Sequence, residues 1–566
     1  MKQTSIAFAV TAIFAGLIAN PVAAENMPNI GDALRQAQPP VVPRTPAVAP
    51  PKVGGAGEAG APPQVLSAQQ PKVMVKAFLI TGNRVINHSV LLSQLAGEGG
   101  KEYSLAEIEA IATRLTRFYR NRGYFVARVY VPEQEVKDGT VTLRVVEGNY
   151  GQFHLRNKSR VQDHIVQAML DDVKDANIVS LDTLERAMLI INDTPGVRVT
   201  RADVMPGAKV GTSDFAVDTE ATAAYNGFVM LDNYGSRYTG KNRLSFNLDA
   251  NSPSGHGDRF SVSGLATDNS DLLNGRLAYS VSLAPNGLRG EAAVSQTKYQ
   301  LGDTYSSLNA QGTAKVFDLT LTYPVRRIRA QTIETSLNVS YKDQVDEILL
   351  TATRTPKLLR SATLGLLIRD ESEFLGAFGL TQGNIGLGFG SLNINEASAA
   401  ALDAAGADTQ GQYRKLTAGL SRMSLLPLDF ALTVSLRYQQ SLNGKNLDSS
   451  ERMTVSGSNG VMAYPSGELI GTNASYARAD LAHPLPEWGD LKSNCFLFSD
   501  WGQASEARTV ASTDQLRNIR DVGIGWGGSY RNAILKVYVA HRLDDAPAIS
   551  EQIPRNNFLA QAGWVF

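Results

Sequence analysis

Catalysis needs nucleophiles, bases and metal ligands at workable spacing, and this chain offers few. It carries six histidines and one cysteine, Cys495, in 566 residues. A single thiol rules out an intrachain disulfide framework and a multi-cysteine zinc site. Few histidines leave little material for a metalloenzyme. No Gly-x-Ser-x-Gly elbow, His-Glu-x-x-His pair or phosphate-binding loop occurs. His256 lies two residues from Asp258, but it stands between Gly255 and Gly257, and a turn accounts for it. No catalytic residue, cofactor or metal is therefore assigned, and the chain reads as something other than an enzyme. Its 54 basic residues balance 54 acidic ones, without the basic surplus of a nucleic-acid binder.

The remaining signals concern export and strands. Met1–Ala24 reads as a secretory signal: Lys2 gives the positive start, Ile6–Ile18 is largely apolar, and Val22-Ala23-Ala24 places small residues before a cut at Glu25. The apolar stretch is shorter than the ~20 residues that span a bilayer. Ile30, Ala33, Leu34 and Ala37 fall on one helical face and predict a helix over Ile30–Gln38, ended by Pro39-Pro40. Val41–Pro71, rich in Pro, Ala and Gly, reads as an extended tether.

Two small α/β modules follow. In 73–150, Val75, Ala77, Leu79 and Ile80 form a strand ended by Gly82-Asn83. Helices are expected at His88–Leu95 and Leu105–Asn121, with Gly123 closing the second, and strands at Tyr124–Val131 and Val141–Val146. Residues 151–220 repeat the scheme loosely, with helices at Val161–Leu170 and Leu181–Ile191 and strands at Val197–Met205 and Asp214–Thr219.

From about Ala221 onward strict alternation takes over. Leu244, Phe246 and Leu248 alternate with Ser245, Asn247 and Asp249. Phe317, Leu319 and Leu321 alternate with Asp318, Thr320 and Thr322, and Val434, Leu436 and Tyr438 with Ser435 and Arg437. One apolar and one polar face over runs of about ten residues is the pattern of a transmembrane β-barrel. A soluble β-sandwich also alternates, but its strands are usually ~5–6 residues long. The chain ends in Phe558, Ala560, Ala562, Trp564 and Phe566 on one face, like the C-terminal strand that targets outer-membrane barrels.

Particular residues then resemble a family. Gly82-Asn83, Tyr119, Gly123-Tyr124, Pro132, Gln134, Gly139 and Val146-Glu147-Gly148 resemble the polypeptide-transport-associated (POTRA) domain of two-partner secretion transporters. Leu184-Glu185-Arg186, Pro195-Gly196-Val197 and Gly211-Thr212-Ser213-Asp214 match its second copy, and Asp232-Asn233-Tyr234-Gly235, Gly240 and Gly257-Asp258 the barrel entrance. The resemblance implies a fold: a signal peptide (1–24), a plug helix (25–38), a Pro-rich linker (39–72), two periplasmic POTRA domains (73–150 and 151–220) and an all-β transmembrane barrel of about 16 antiparallel strands (221–566). Sixteen strands over residues 221–566 leave ~22 residues for each strand and its connection, enough for spans of ~9–11.

The same resemblance implies a function: a pore in the bacterial outer membrane that recognises a large β-helical partner exoprotein and exports it without ATP. The other implied partners are outer-membrane lipid and the barrel assembly machinery, which would read the last strand through Trp564 and Phe566; no nucleic acid is expected. The alternative is an outer-membrane protein insertase of the same superfamily, which typically has more POTRA copies and lacks the plug helix. Two signature sites are implied. One is a lumen loop, here Gly460-Val461-Met462-Ala463-Tyr464, and the other a barrel motif, here Phe498-Ser499-Asp500-Trp501-Gly502. The family pattern has arginine where this chain has Met462, and that arginine meets the aspartate matching Asp500. Asp500 must then find another cation, stay hydrated in the lumen or hydrogen-bond to loop backbone; Arg452 and Arg478 flank the loop. Leu288-Arg289-Gly290-Glu291 looks similar but lies too early and reads as a turn between strands.

Overall fold

The computed structural model describes residues 27–38, 71–508, 516–545, 547–551 and 553–566. The expected secretory signal and nearly all of the expected tether lie outside the described residues. The N-terminal helix runs over Ile30–Gln36, two residues shorter than predicted. Asn29 caps it and exchanges hydrogen bonds with the Asp32 end of the first turn.

In the first module a three-stranded sheet is ordered Ala77–Thr81, Thr140–Val146, Arg128–Tyr130, and Leu105–Arg120 packs on it. The helix buries Ile108, Ile111, Leu115 and Tyr119. Two expectations need correction. The first strand is split, since Val73–Val75 leaves to pair with Lys101–Tyr103. Tyr124–Ala127 is not strand: the helix unwinds through Gly123 at φ +89°, and Ala127 N–H donates to the Tyr124 carbonyl at 3.0 Å. The second module repeats the layout, with sheet order Asn149–Lys158, Thr212–Glu220, Arg198–Pro206 beneath helices Asp163–Asp171 and Leu181–Asp193. Its first strand starts at Asn149, so the boundary lies before the expected 151. Tyr150 belongs to this second core, donating to or accepting from Thr183 Oγ1 at 2.6 Å, and burial pushes its phenol up to about 12.

Sixteen antiparallel strands, from Tyr225–Asp232 to Asn556–Val565, close into a barrel. The alternation sorts as expected. Leu244, Phe246, Phe317, Leu319, Val434 and Leu436 stand exposed on the outside, while Ser245 and Gln439 are buried on the lumen side. The final strand seals against the first over Gln561–Val565. Gly227 and Phe566 exchange backbone hydrogen bonds of 2.8 and 3.0 Å, and Trp564 and Phe566 point outward.

One end of the barrel meets the second module. Arg327 pairs with Asp193 at 2.7 Å, Arg329 with Glu185 at 3.2 Å, and Gln162 N–H donates to the Gly255 carbonyl at 2.9 Å. His256 sits in that turn, its Nδ1 beside Ser254 Oγ at 2.9 Å, as its glycine neighbours predict. The stretch Leu288-Arg289-Gly290-Glu291, expected as a turn, is one only at Leu288, whose carbonyl accepts the Leu283 N–H at 2.8 Å; Arg289, Gly290 and Glu291 open the strand Arg289–Gln300, where pairing with the next strand extends them. The long loops, including 395–410 and 442–472, lie at the other end.

Candidate functional site: a lumen filled by a helix and an infolded loop

The loop 442–472 turns back into the barrel and divides into two arms. The second arm carries the sequence-predicted residues. Met453–Thr454 pairs with Ile470–Gly471, and the tip is cinched by Val461 N–H to the Val455 carbonyl at 2.9 Å. Val461, Ala463 and Tyr464 are buried, and Met462 is 8% exposed. Gly460 is required by space, since a Cβ there would lie 2.3 Å from the Val455 carbonyl carbon. Gly502 of the barrel motif serves the same contact from the wall: its Cβ would lie 2.9 Å from the Val455 carbonyl oxygen and 3.0 Å from the Val461 side chain.

The structure brings the two predicted motifs together. Asp500 accepts from the Tyr476 hydroxyl at 2.7 Å and from Arg478 Nη1 at 3.1 Å. Arg478 therefore supplies the cation that position 462 lacks. Its guanidinium also binds Asp480 at 2.9 Å, lies 4.3 Å from the Phe498 ring centroid, and reaches the Met462 sulfur at 3.5 Å. Phe498 is thus the platform on which Arg478 rests. Arg452, the other candidate, pairs with Glu506 at 3.0 Å instead. Asp521, directly opposite Asp500 on the next strand, accepts the Ala463 N–H at 2.7 Å. Asn557 donates to the Met462 carbonyl at 2.7 Å, and the Tyr464 hydroxyl to Asp544 at 3.2 Å. Glu468 gathers Ile549 N–H at 3.0 Å, Ser550 N–H at 2.8 Å and Arg517.

The first arm was not singled out from sequence. Asp448 and Glu451 are buried against three lysines from separate strands. Lys357 meets Asp448 at 3.1 Å, and Lys342 and Lys415 each meet Glu451 at 2.6 Å. No local pattern links residues 36 to 109 positions apart; the only local hint is a Ser-Ser pair framed by two acids.

The N-terminal helix rests on this first arm. Gly31 faces Ser449 so closely that a Cβ would lie 2.4 Å from its carbonyl carbon, and Arg35 donates to the Ser449 carbonyl. Ile30 and Ala33 are buried with Tyr238, Leu272, Tyr299 and Leu301. Ile30 N–H donates to Asp346 at 2.9 Å, and the far end is held by Arg243 Nη1 to the Gln36 carbonyl at 2.7 Å and Thr239 to Gln36 Oε1 at 2.8 Å. Asp232 holds Arg243 at 2.7 Å, while its neighbour Asn233 grips the last strand through the Phe558 carbonyl at 2.9 Å. The Asp232-Asn233 pair therefore lies at the loop end, away from the modules, and serves both helix and seam. Every one of these anchors is a side-chain contact or a single backbone bond. None of those named is a strand ladder to the barrel wall.

Comparison with known proteins identifies the family and the fold. Residues 211–528 match the haemolysin secretion/activation protein family ShlB/FhaC/HecB, and residues 73–148 match the ShlB-type POTRA domain. The heme/hemopexin transporter protein HuxB of Haemophilus influenzae (strain 86-028NP) is 27% identical over 454 residues, 79% of each chain. The outer membrane transporter CdiB of Dickeya dadantii is 24% identical over 427 residues, 72% of this chain and 73% of that one. The fold is that of CdiB from Escherichia coli, with a TM-score of 0.71 at 17% identity over 95% of this chain and 96% of that one. A closed 16-stranded barrel, an N-terminal POTRA domain and a match across most of the barrel lead to one conclusion: the chain belongs to the ShlB/FhaC/HecB family and is an outer-membrane transporter of two-partner secretion.

Proposed function

We propose that the helix Ile30–Gln36 is a plug, that the loop 442–472 is its seat, and that an unfolded exoprotein passes when both shift. The observation that carries this reading is the pair of contacts between Gly31 or Arg35 and Ser449, which ties the helix to the lysine-anchored arm. The client would first dock in the periplasm by adding a strand to an exposed edge. Such docking takes affinity from backbone hydrogen bonds and specificity from side-chain pockets. Asn149–Lys158, at the edge of the second module, is the longest edge offered there. No nucleotide-binding motif is present in the sequence, so folding of the client outside would supply the pull. Trp564 and Phe566 would present the last strand to the barrel assembly machinery. A cysteine pair tests the plug. In a Cys495→Ser background, Gln36→Cys with Thr239→Cys, bridged by a short bismaleimide, holds the helix in the lumen. Export should stop on bridging and persist in the unbridged protein; export through the bridged protein would contradict the reading.

A further inference from the structure

At the base of the second arm a carboxylate holds more than its own loop. The Glu468 side chain is closed to solvent. Its Oε2 accepts the Ser550 N–H at 2.8 Å, the Ser550 hydroxyl at 2.6 Å and the Ile549 N–H at 3.0 Å. Its Oε1 takes the Arg517 guanidinium from the barrel wall and lies 3.0 Å from the same Ile549 nitrogen. A carboxylate suits this place because it only accepts. A glutamine there would turn its NH2 group against either Arg517 or the N–H groups of 549 and 550.

The segment that Glu468 grips belongs to the loop between the last two barrel strands, and its far side reaches the seat of the helix. The Ser550 carbonyl accepts from the Tyr238 hydroxyl, and the buried Glu551 pairs with Lys241 at 2.9 Å. Tyr238 and Lys241 lie in the loop between the first two barrel strands. Tyr238 packs with Ile30 and Ala33 of the helix, and its neighbour Thr239 donates to Gln36 Oε1 at 2.8 Å. Residues 549–551 thus form a strap from the infolded loop to the turn that holds the helix. The arm's base also runs beside the helix, since a Cβ on Gly467 would lie 3.9 Å from Asp32 Oδ1. We propose that Glu468 is the positioning residue that ties the plug to the loop. While it grips 549 and 550, the strap keeps Tyr238 and Thr239 against the helix; withdrawal of the arm's base frees them. This role for Glu468 rests on the plug reading of the helix. The grip is at the base of the arm, so displacement of the tip alone leaves it engaged.

Open time of the full chain in planar bilayers tests it, with heat-modifiable migration on gels showing an intact barrel. Glu468→Gln keeps the shape but weakens hydrogen bonds to a charged group, so open time should rise roughly tenfold. Tyr238→Phe with Lys241→Gln cuts the far end of the strap and keeps the ring against the helix; it should give a similar rise. All three changes together should exceed neither end alone, because a strap cut once holds nothing. Effects that multiply would overturn the proposal. In a Cys495→Ser background, bismaleimide bridging of Gln36→Cys with Thr239→Cys should slow when Glu468→Gln is added; an unchanged rate would also overturn it. Arg555→Gln breaks an exposed pair with Asp545 in the same loop and should leave the channel quiet. A rise equal to that of Glu468→Gln would count against the strap, because any loosening of the loop would then suffice. Deleting residues 30–38 separates the two readings. An open deletion beside a quiet Glu468→Gln overturns the strap alone, whereas a quiet deletion overturns the plug and the strap with it.

Discussion

The two arms of the infolded loop reach the same lumen by different physics. The first arm puts Asp448 and Glu451 against Lys357, Lys342 and Lys415, so it is held by charge. The second arm is held mainly by shape and by hydrogen bonds to its backbone, with a single ion pair, Glu468 to Arg517, close to its base. Gly460 and Gly502 let it approach the wall, Asp521 and Asn557 take its N–H and C=O groups, and Met462 packs beside Arg478. The helix's hydrogen bond to the loop, from Arg35 to the Ser449 carbonyl, goes to the first arm. The difference separates two sets of contacts: one arm packs against the helix through Ser449, and the other fixes the loop tip to the strands that carry Asp500 and Asp521.

Breaking the first arm should have the largest effect. Lys342→Gln with Lys415→Gln leaves Glu451 buried without a cation, and breaking a buried pair from one side costs ~3–5 kcal/mol. The arm should leave the wall and release the helix, giving long-lived open channels in planar bilayers. Quiet channels from this variant would mean that charge does not hold the seat. An intermediate effect is expected from Gly460→Val, which overlaps the Val455 backbone. The tip should be displaced while the helix stays seated. Export from cells should fall while conductance stays near that of the wild type; a conductance rise equal to that of the lysine variant would erase the distinction between the arms.

The smallest effect belongs to Met462. Met462→Arg adds a second guanidinium beside Arg478, facing Asp500 and Asp521. Charge-assisted pairs of this kind are among the stronger hydrogen-bonded contacts. In a double-mutant cycle with Asp500→Ala, a coupling of about 1 kcal/mol is expected in the thermal stability of the loop, because neighbouring residues do not act additively. Strict additivity would mean that positions 462 and 500 do not meet. In Arg478→Gln the same Met462→Arg change should matter more, since it then supplies the only cation.

These differences also mark what could be read from the sequence. The barrel strands were legible because lipid outside and water inside impose a period of two that local residues must obey, as at Leu244–Ala250. The second arm was legible through the Gly460–Tyr464 and Phe498–Gly502 stretches, whose glycines answer to a contact that admits no side chain. Arg478 could be named as a candidate, but its choice over Arg452 depended on register, which places Arg478 directly opposite Asp500. The lysine-held arm was invisible, because its partners come from three separate strands. The start of the second module was misplaced because Asn149 and Tyr150 owe their strand to pairing with Thr212 and Ser213, far along the chain. Tyr124–Ala127 looked like strand by composition, but the turn after Gly123 overrides it.

The central claim is that Ile30–Gln36 closes the lumen, and conductance of a chain lacking residues 30–38 tests it most directly. Planar bilayers should record a higher, steadily open conductance than the wild type, with export of the partner exoprotein retained in cells. Conductance indistinguishable from the wild type would contradict the account, because the lumen would then be closed by something other than this helix.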